Sequence, residues 1–428
     1  MENMIKFSDS SKSDHLWDEV KKASNPELVD ALRDLYSIYD AELVDWCAGL
    51  YDPKIGGFYY SNSARDNEKC VWQGKEYDLL PDAESTCQAI GFVRRSGITS
   101  DTEGFYGPFI PDWMKKKTAD YIWSLQDPDG FFYHPQWGKN IGLSRRARDL
   151  SWSKIMLGGF GRELRYPTLL DIEKPKTEDT LVPEHMQSKE KLIAFLDSLD
   201  FENKSYAAGN NVSSQFLQIK GLGLGEVVID YLNSHQHADT GLWHAKQDYY
   251  GVNGLMKISG IYNNAGLVIP HAMEAAMSAI DAITSDEEIK GVVDLWNTWV
   301  AVHNIVTSLR KYGGDDGEKQ ASAILERVQR EAIGAVKATK EKIAPFKKPD
   351  HAFSYCREYP APTSQGAPVC VPYLPEGDMN ATVISVTLMI EMVHNALGLF
   401  DKMVPLFGKE EGERFLSIVE ENRRRGEN

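Results

Sequence analysis

Apolar residues recur at helical spacing over most of this chain. The clearest window is residues 287–311, where Ile289, Val292, Val293, Trp296, Val300, His303 and Val306 fall on one face. A stripe of that width predicts a helix buried along one side. The same reading holds for about 27–50, 82–97, 110–126, 149–163, 188–200, 224–236, 263–284, 319–342 and 378–398. The pattern predicts an all-α protein, and nowhere do enough apolar residues run together to span a bilayer.

Between these windows a short glycine-led aromatic pattern returns: Gly57-Phe-Tyr-Tyr-Ser, Gly130-Phe-Phe-Tyr-His, Gly241-Leu-Trp-His-Ala and a degenerate Ala352-Phe-Ser-Tyr-Cys. In the first three the glycine closes a polar turn (Asp52-Pro-Lys-Ile-Gly-Gly, Asp127-Pro-Asp-Gly, Asp239-Thr-Gly), which suits a backbone at positive φ followed by a short strand. Some twenty residues on, an Asp or Asn stands where a helix cap is expected: Asp82, Asp149, Asn263 and Asp378. Helix, aromatic hairpin, loop and capped helix thus recur in fixed order at unequal spacing, a quasi-repeat. The proline- and charge-rich stretch 165–187 reads as a surface loop or lid, and residues 1–428 are expected to form one domain.

The turns Gln126-Asp-Pro-Asp-Gly-Phe and Gln236-His-Ala-Asp-Thr-Gly-Leu-Trp resemble the Q-x-x-D-G-x-W turns of α/α-toroid proteins. That resemblance implies a ring of about six to seven helical hairpins with short aromatic β-hairpins on one rim. Terpene cyclases, polysaccharide lyases, sugar epimerases and unsaturated-uronide hydrolases all use such rings, so it leaves the chemistry open. Asp52-Pro-Lys-Ile-Gly-Gly-Phe-Tyr is also similar to the turn after the first helix of sugar 2-epimerases.

A formal net charge of −16 argues against a nucleic-acid or anionic-membrane partner, because both require a positive field. The five cysteines have no C-x-x-C spacing, and H-x-x-x-H, H-E-x-x-H and Asp-rich boxes are missing, so neither a metal nor a cofactor is expected. Gly221-Leu-Gly-Leu-Gly follows no strand and is no dinucleotide fingerprint. The first twenty residues lack the regions of a secretory signal, which leads to the expectation of a cytoplasmic protein.

Basic and aromatic residues are concentrated between the predicted helices. Tyr59, Tyr60, Asn62 and Arg65 fall in the first loop; His134, Trp137, Arg145, Arg146 and Arg148 in the second; Trp243, His244, Tyr249, Tyr250, Lys257, Tyr262, Asn263 and Asn264 in the third; Tyr355, Arg357 and Tyr359 in the fourth. These types stack on sugar rings and hold hydroxyls and carboxylates, so an oligosaccharide or polysaccharide is the expected partner. The toroid lyases that act on uronic acids use Asn or Arg to neutralise the carboxylate, and His and Tyr as base and acid. The resemblance therefore implies His244 as base, Tyr249 or Tyr250 as acid, and Asn264 with Arg146 as neutralisers; the remaining loop residues would bind substrate. His271, His303 and His394 are expected on apolar helix faces as core histidines.

The leading expectation is a polysaccharide lyase working by β-elimination. The alternative is a glycoside hydrolase or epimerase on the same ring, with its carboxylates drawn from Glu76, Asp82, Glu84, Asp149, Glu358, Glu376 and Asp378. A ring that only binds glycans is the third reading.

Overall fold

The computed structural model describes residues 12–98, 109–171, 176–400 and 402–427, and these are mostly helical. In chain order the helices are α1 (Lys12–Ala23), α2 (Pro26–Tyr36), α3 (Glu42–Gly49), α4 (Asn62–Asp66), α5 (Ala83–Arg95), α6 (Asp112–Ser124), α7 (Leu143–Gly159), α8 (Lys189–Asp197) and α9 (Phe201–Gly221). They continue with α10 (Gly225–His235), α11 (Tyr249–Ala265), α12 (Ala272–Thr284), α13 (Val292–Tyr312), α14 (Gly314–Ile343), α15 (Met379–Val383), α16 (Met389–Ala396) and α17 (Lys409–Glu427). A π-helical turn, Ile384–Leu388, joins α15 to α16. Among the described residues the strands form only two-stranded antiparallel hairpins: β1 (Tyr51–Asp52) with β2 (Gly57–Phe58), β3 (Lys69–Trp72) with β4 (Lys75–Asp78), and β5 (Thr363–Ser364) with β6 (Ala367–Pro368).

One series of helices packs in sequence: α5 on α7, α7 on α9, α9 on α11, α11 on α13, α13 on α16, and α15 back on α5. Between consecutive members the chain passes through α6, α8 and α10, α12, and α14, which pack on that series or on one another. One cluster of buried apolar side chains runs from Trp17 to Val419, and a small satellite joins Tyr60, Ala64, Cys70, Leu79, Val369 and Cys370. All five cysteines are free thiols. No described helix is long and apolar enough to cross a membrane.

Several predicted boundaries move. The window 27–50 is two helices, α2 and α3. Asp82 and Asp378 do cap α5 and α15, accepting from the N–H groups of Glu84 and Ser85 and of Ala381. Asp149 does not cap: α7 begins at Leu143, and Asp149 lies inside it, with a buried guanidinium taking its oxygens. Asn263 ends α11, whose cap is Asp248, accepting from Gly251 N at 2.8 Å. Consequently Arg145, Arg146, Arg148, Tyr249, Tyr250, Lys257, Tyr262, Asn263 and Asn264 are helical residues, not loop residues. His271 is also displaced from its expected helix face and stands exposed before α12 at φ 49°.

The aromatic turns repeat in space as in sequence. Tyr59, Tyr133 and Ser354 each donate a backbone N–H across a turn, to Leu50 O, Leu125 O and Phe346 O. Positive φ falls on Gly56 rather than Gly57, on Gly130 and Gly241, and on His351 in the degenerate copy. At Gly130 a Cβ would stand 2.6 Å from Pro167 O, and at Gly241 it would overlap the backbone of Ala275, so the turns press against the chain that follows them. The two glutamines explain the seating: Gln126 accepts from Arg165 N and Tyr166 N and donates to Tyr166 O, while Gln236 donates to Pro270 O. The described parts of the 165–187 stretch are therefore tied down, with Thr168 and Leu169 buried; residues 172–175 of that expected lid lie outside the described residues.

Candidate functional site

A cavity of about 760 Å³ is lined by side chains from α5, α7, α9, α11, α13 and the α15–α16 segment. That volume is in the range of small-ligand sites, on the order of 300–1,000 Å³. Tyr60, Tyr355 and the Ala361–Gln365 stretch complete its wall from the loops. The hairpin β5–β6 is fastened there at two points: Ser364 Oγ donates to Glu84, and Gln365 Oε1 accepts from Asn210 Nδ2 at 3.0 Å. The most exposed apolar lining residues, Ile155 and Leu217, lie in the C-terminal halves of α7 and α9.

The charge of the lining is opposite to that of the chain. Arg95, Arg148 and Lys257 face the cavity, and no Asp or Glu is among the described residues that line it. Arg95 is paired with Glu391 at 2.8 Å. Arg148 donates to Asn210 Oδ1 at 2.7 Å, lies over the Trp152 ring, and approaches Glu84 only to 3.9 Å. Lys257 Nζ sits 5.6 Å from the centre of the Tyr206 ring and makes no hydrogen bond or ion pair with any described residue. Its burial, reinforced by the neighbouring Arg148 charge, holds the amine well below the usual lysine range.

Tyr206 and Tyr355 form a hydroxyl pair in this wall. The Tyr355 hydroxyl and the Asn297 amide stand beside the Tyr206 hydroxyl, and burial raises both phenols. Asn297 is held in turn by Asn253, which also binds Asp294 at 2.7 Å. Four buried lining atoms have no hydrogen-bond partner among the described residues: Gln88 Oε1, Gln218 Nε2, Trp296 Nε1 and Asn297 Oδ1. Buried polar atoms of this kind are costly unless a ligand or water meets them.

Behind the lining stands a buried charge cluster. Arg145 donates to Asp82 at 2.8 Å, to Glu84 at 2.9 Å, and through Nε to both oxygens of Asp149 at 3.0 Å. Trp137 lies over the guanidinium at 4.5 Å and is stacked in turn on His134. Burial pushes the Asp149 carboxyl up to about 7 despite the pull of Arg145, and pushes His134 down to about 4, so that ring is neutral.

Of the residues singled out in the sequence, Tyr60, Arg148, Lys257, Asn264 and Tyr355 line the cavity. The others stand elsewhere. His244 is buried beside Asp248 at 3.8 Å, with Tyr250 next to it; Tyr250 reaches the site only through its edge contact with Tyr206. Tyr249 turns toward α14, where its hydroxyl accepts from Lys342 at 2.7 Å. Arg146 lies over Phe131 and donates to Lys139 O. Trp243 and Tyr262 are packing residues that donate to Leu232 O and Asn233 Oδ1. Tyr59 is bound to Asp52, Asn62 to Asp350, Arg65 to Asp66 and Arg357 to Glu288; Asn263 binds Asn304 O, and Tyr359 packs edge-on against Tyr373. The proposed triad of His244, a neighbouring tyrosine and Arg146 is thus not assembled around this cavity.

Sequence reasoning missed Tyr206, Asn210, Trp152, Trp296 and Asn297. A signal was present, since Tyr206, Asn210, Ser213 and Ser214 recur at helical spacing as a polar stripe. Among the described residues one group has metal-ligand types close together, Asp40, Glu42 and His351, but the Lys347 ammonium already occupies Asp40. No protein-family model, curated protein or solved structure matches this chain.

Proposed function

We propose that this chain is an enzyme of the α/α-toroid architecture that cleaves a uronic-acid-containing glycan by β-elimination in this cavity. The packing order from α5 through α7, α9, α11 and α13 to the α15–α16 segment and back to α5 supports the ring. Intervening helices pack on this series: α6 on α7, α10 on α9, α12 on α11 and α13, and α14 on α13 and α16.

One observation carries the chemistry: in a chain of net charge −16, the described residues lining the cavity include basic side chains and tyrosines but no carboxylate. β-Elimination begins with neutralisation of the carboxylate next to the acidic carbon. Arg148 is placed for this, because its counter-charge Glu84 is committed to Arg145 and Ser364. Asn210 and Asn297 offer amides to the same anion or to ring hydroxyls. Trp152 and Trp296 supply faces on which a pyranose ring stacks. The Tyr206–Tyr355 pair keeps its protons at neutral pH and so is suited to protonate a leaving oxygen. Hydrolysis instead calls on two carboxylates across the scissile bond. Glu84 lies behind the lining with its Oε2 engaged by Arg145 and Ser364, and Glu391 is paired with Arg95.

The test is a panel of oligo- and polyuronates incubated with the protein and followed by the ultraviolet absorbance of the unsaturated product. A rise with at least one uronate, and none with neutral glycans, is expected. Release of reducing ends without that absorbance would favour hydrolysis and end the lyase reading.

A further inference from the structure

Among the described residues that line the cavity, Lys257 is the one basic side chain whose nitrogen is given nothing to hold. Arg95 has Glu391, and Arg148 has Asn210. The Lys257 amine, from the middle of α11, projects beside the Tyr206 ring into the cavity with no carboxylate bound to it. We propose that Lys257 is the proton acceptor of the elimination, taking the proton from the carbon next to the substrate carboxylate that Arg148 holds. This assignment rests on the lyase reading above and names the base that reading requires.

Two structural relationships support it. Gly209 of α9 faces the Lys257 stem; a Cβ there would stand 3.1 Å from Lys257 Cβ, so the stem is confined and the amine is aimed. The charged and titratable groups around it come from each neighbouring element. Arg148 on α7 is cationic, and Glu84 on α5 is anionic but bound to Arg145. Tyr206 on α9 and Tyr355 in the loop are neutral phenols. Asp294 on α13 is taken by Asn253 and by the backbone N–H groups of Lys290 and Gly291. With one cation near and no free carboxylate among the described groups, burial and the Arg148 charge favour the neutral amine, which is the form able to accept a proton.

The step balances without a co-reactant. The Nζ lone pair takes the proton from C5 of the uronate, the C5–H electrons become the C4–C5 double bond, and the C4–O bond breaks. The departing oxygen takes a proton from the Tyr206–Tyr355 pair. The amine leaves the step as an ammonium and the pair as a phenolate; a proton passes back between them, through water, once product departs.

The experiment has two arms on the full chain. In the first, lysines are acetylated with acetic anhydride at graded pH and read by mass spectrometry, with the exposed Lys189 and Lys319 as references. Lys257 is expected to reach its full reactivity at a lower pH than either reference, and to be protected by an oligouronate. In the second, Lys257→Met and Lys257→Arg are compared with the native chain for ultraviolet-absorbing product, after circular dichroism establishes that each is folded. Both are expected to lose turnover by about 100-fold or more, the usual scale of a lost general base, with KM changed far less. The proposal is overturned if Lys257 acetylates in step with the references, or if Lys257→Met keeps more than about a tenth of native turnover. If the native chain forms no unsaturated product from any uronate while Lys257 remains unusually reactive, the lyase reading fails and the proton transfer with it; a free amine facing the cavity is what survives.

Discussion

Arg145 and Asp149 lie one helical turn apart on α7, and the Nε of the arginine is 3.0 Å from each oxygen of the carboxylate. The rest of the guanidinium reaches across to Asp82 and Glu84 on α5. One fully buried cation thus ties two neighbouring helices together and fixes the start of α5 at the same time. Arg145→Met should lower unfolding stability by about 3–5 kcal/mol, the range for a buried ion pair that loses one partner. Chemical denaturation measures it; a loss below about 1 kcal/mol would mean the carboxyls find water or other partners.

The same cluster gives stability a pH dependence. Burial raises the Asp149 carboxyl to about 7 in the folded chain, above its ordinary value, so the native state holds this proton more tightly than the unfolded one. Its contribution is fully present below about pH 4 and is lost as pH rises toward 7. Asp378, also raised to about 7 by burial, acts in the same sense. Asp149→Asn should flatten the fall in stability between those limits without abolishing it, as read from denaturation midpoints at several pH values. An unchanged slope would place the proton elsewhere.

The hydroxyl of Ser364 joins hairpin β5–β6 to Glu84. Ser364→Ala should cost about 1–3 kcal/mol, because a hydrogen bond to a charged group is lost. The local consequence is more specific. Amide hydrogen exchange over residues 363–368 should quicken, while α5 and α7 keep their protection.

Glycine is favoured at tight turns of this chain for two separable reasons. Gly74, at φ 78°, closes the β3–β4 hairpin in open space, so Gly74→Ala should cost only the left-handed conformation, about 1–2 kcal/mol. Gly241 shares that backbone region and also abuts Ala275. Gly241→Ala should therefore be the more damaging by a clear margin in thermal melts; equal losses would show that α12 yields easily.

Arg148 stands 20% exposed at the cavity wall, well placed to meet an anion. Arg148→Gln should raise the KM for a uronate at least about tenfold, equivalent to about 1.4 kcal/mol. Added salt should weaken native binding more than that of the variant. A neutral-sugar ligand insensitive to both changes would remove the anion from the picture.

Much of the fold was legible because most helices bury one apolar side against the core. The windows for α5, α6, α8, α10 and α14 fall within a few residues of the observed elements. Helix α9 and most of α11 went unread, and both line the cavity. A helix between a core and a wet cavity loses contrast on its inner side. These two also pack closely on each other, using Gly209 against Lys257 and Gly254 against Ser205, and small residues give little hydrophobic signal. The error carried into the site. With α11 read as loop, Tyr249 and Tyr250 are given the catalytic role and Lys257 only a binding one, whereas helical geometry turns Tyr249 to Lys342 and Lys257 to the cavity. The motif turns were legible as architecture because their glycines and glutamines act locally.

The π-helical turn at Ile384–Leu388 holds one residue more than an α-turn would, so it resets the angular phase between α15 and α16. Asn380 and Val383 before it, and Leu388 at its end, all reach the same cavity, and Glu391 beyond it meets Arg95. Removing a single residue from the turn would rotate everything after it by about 100° relative to α15. Leu388 and Glu391 would swing away together, leaving the helix intact but its two halves out of step.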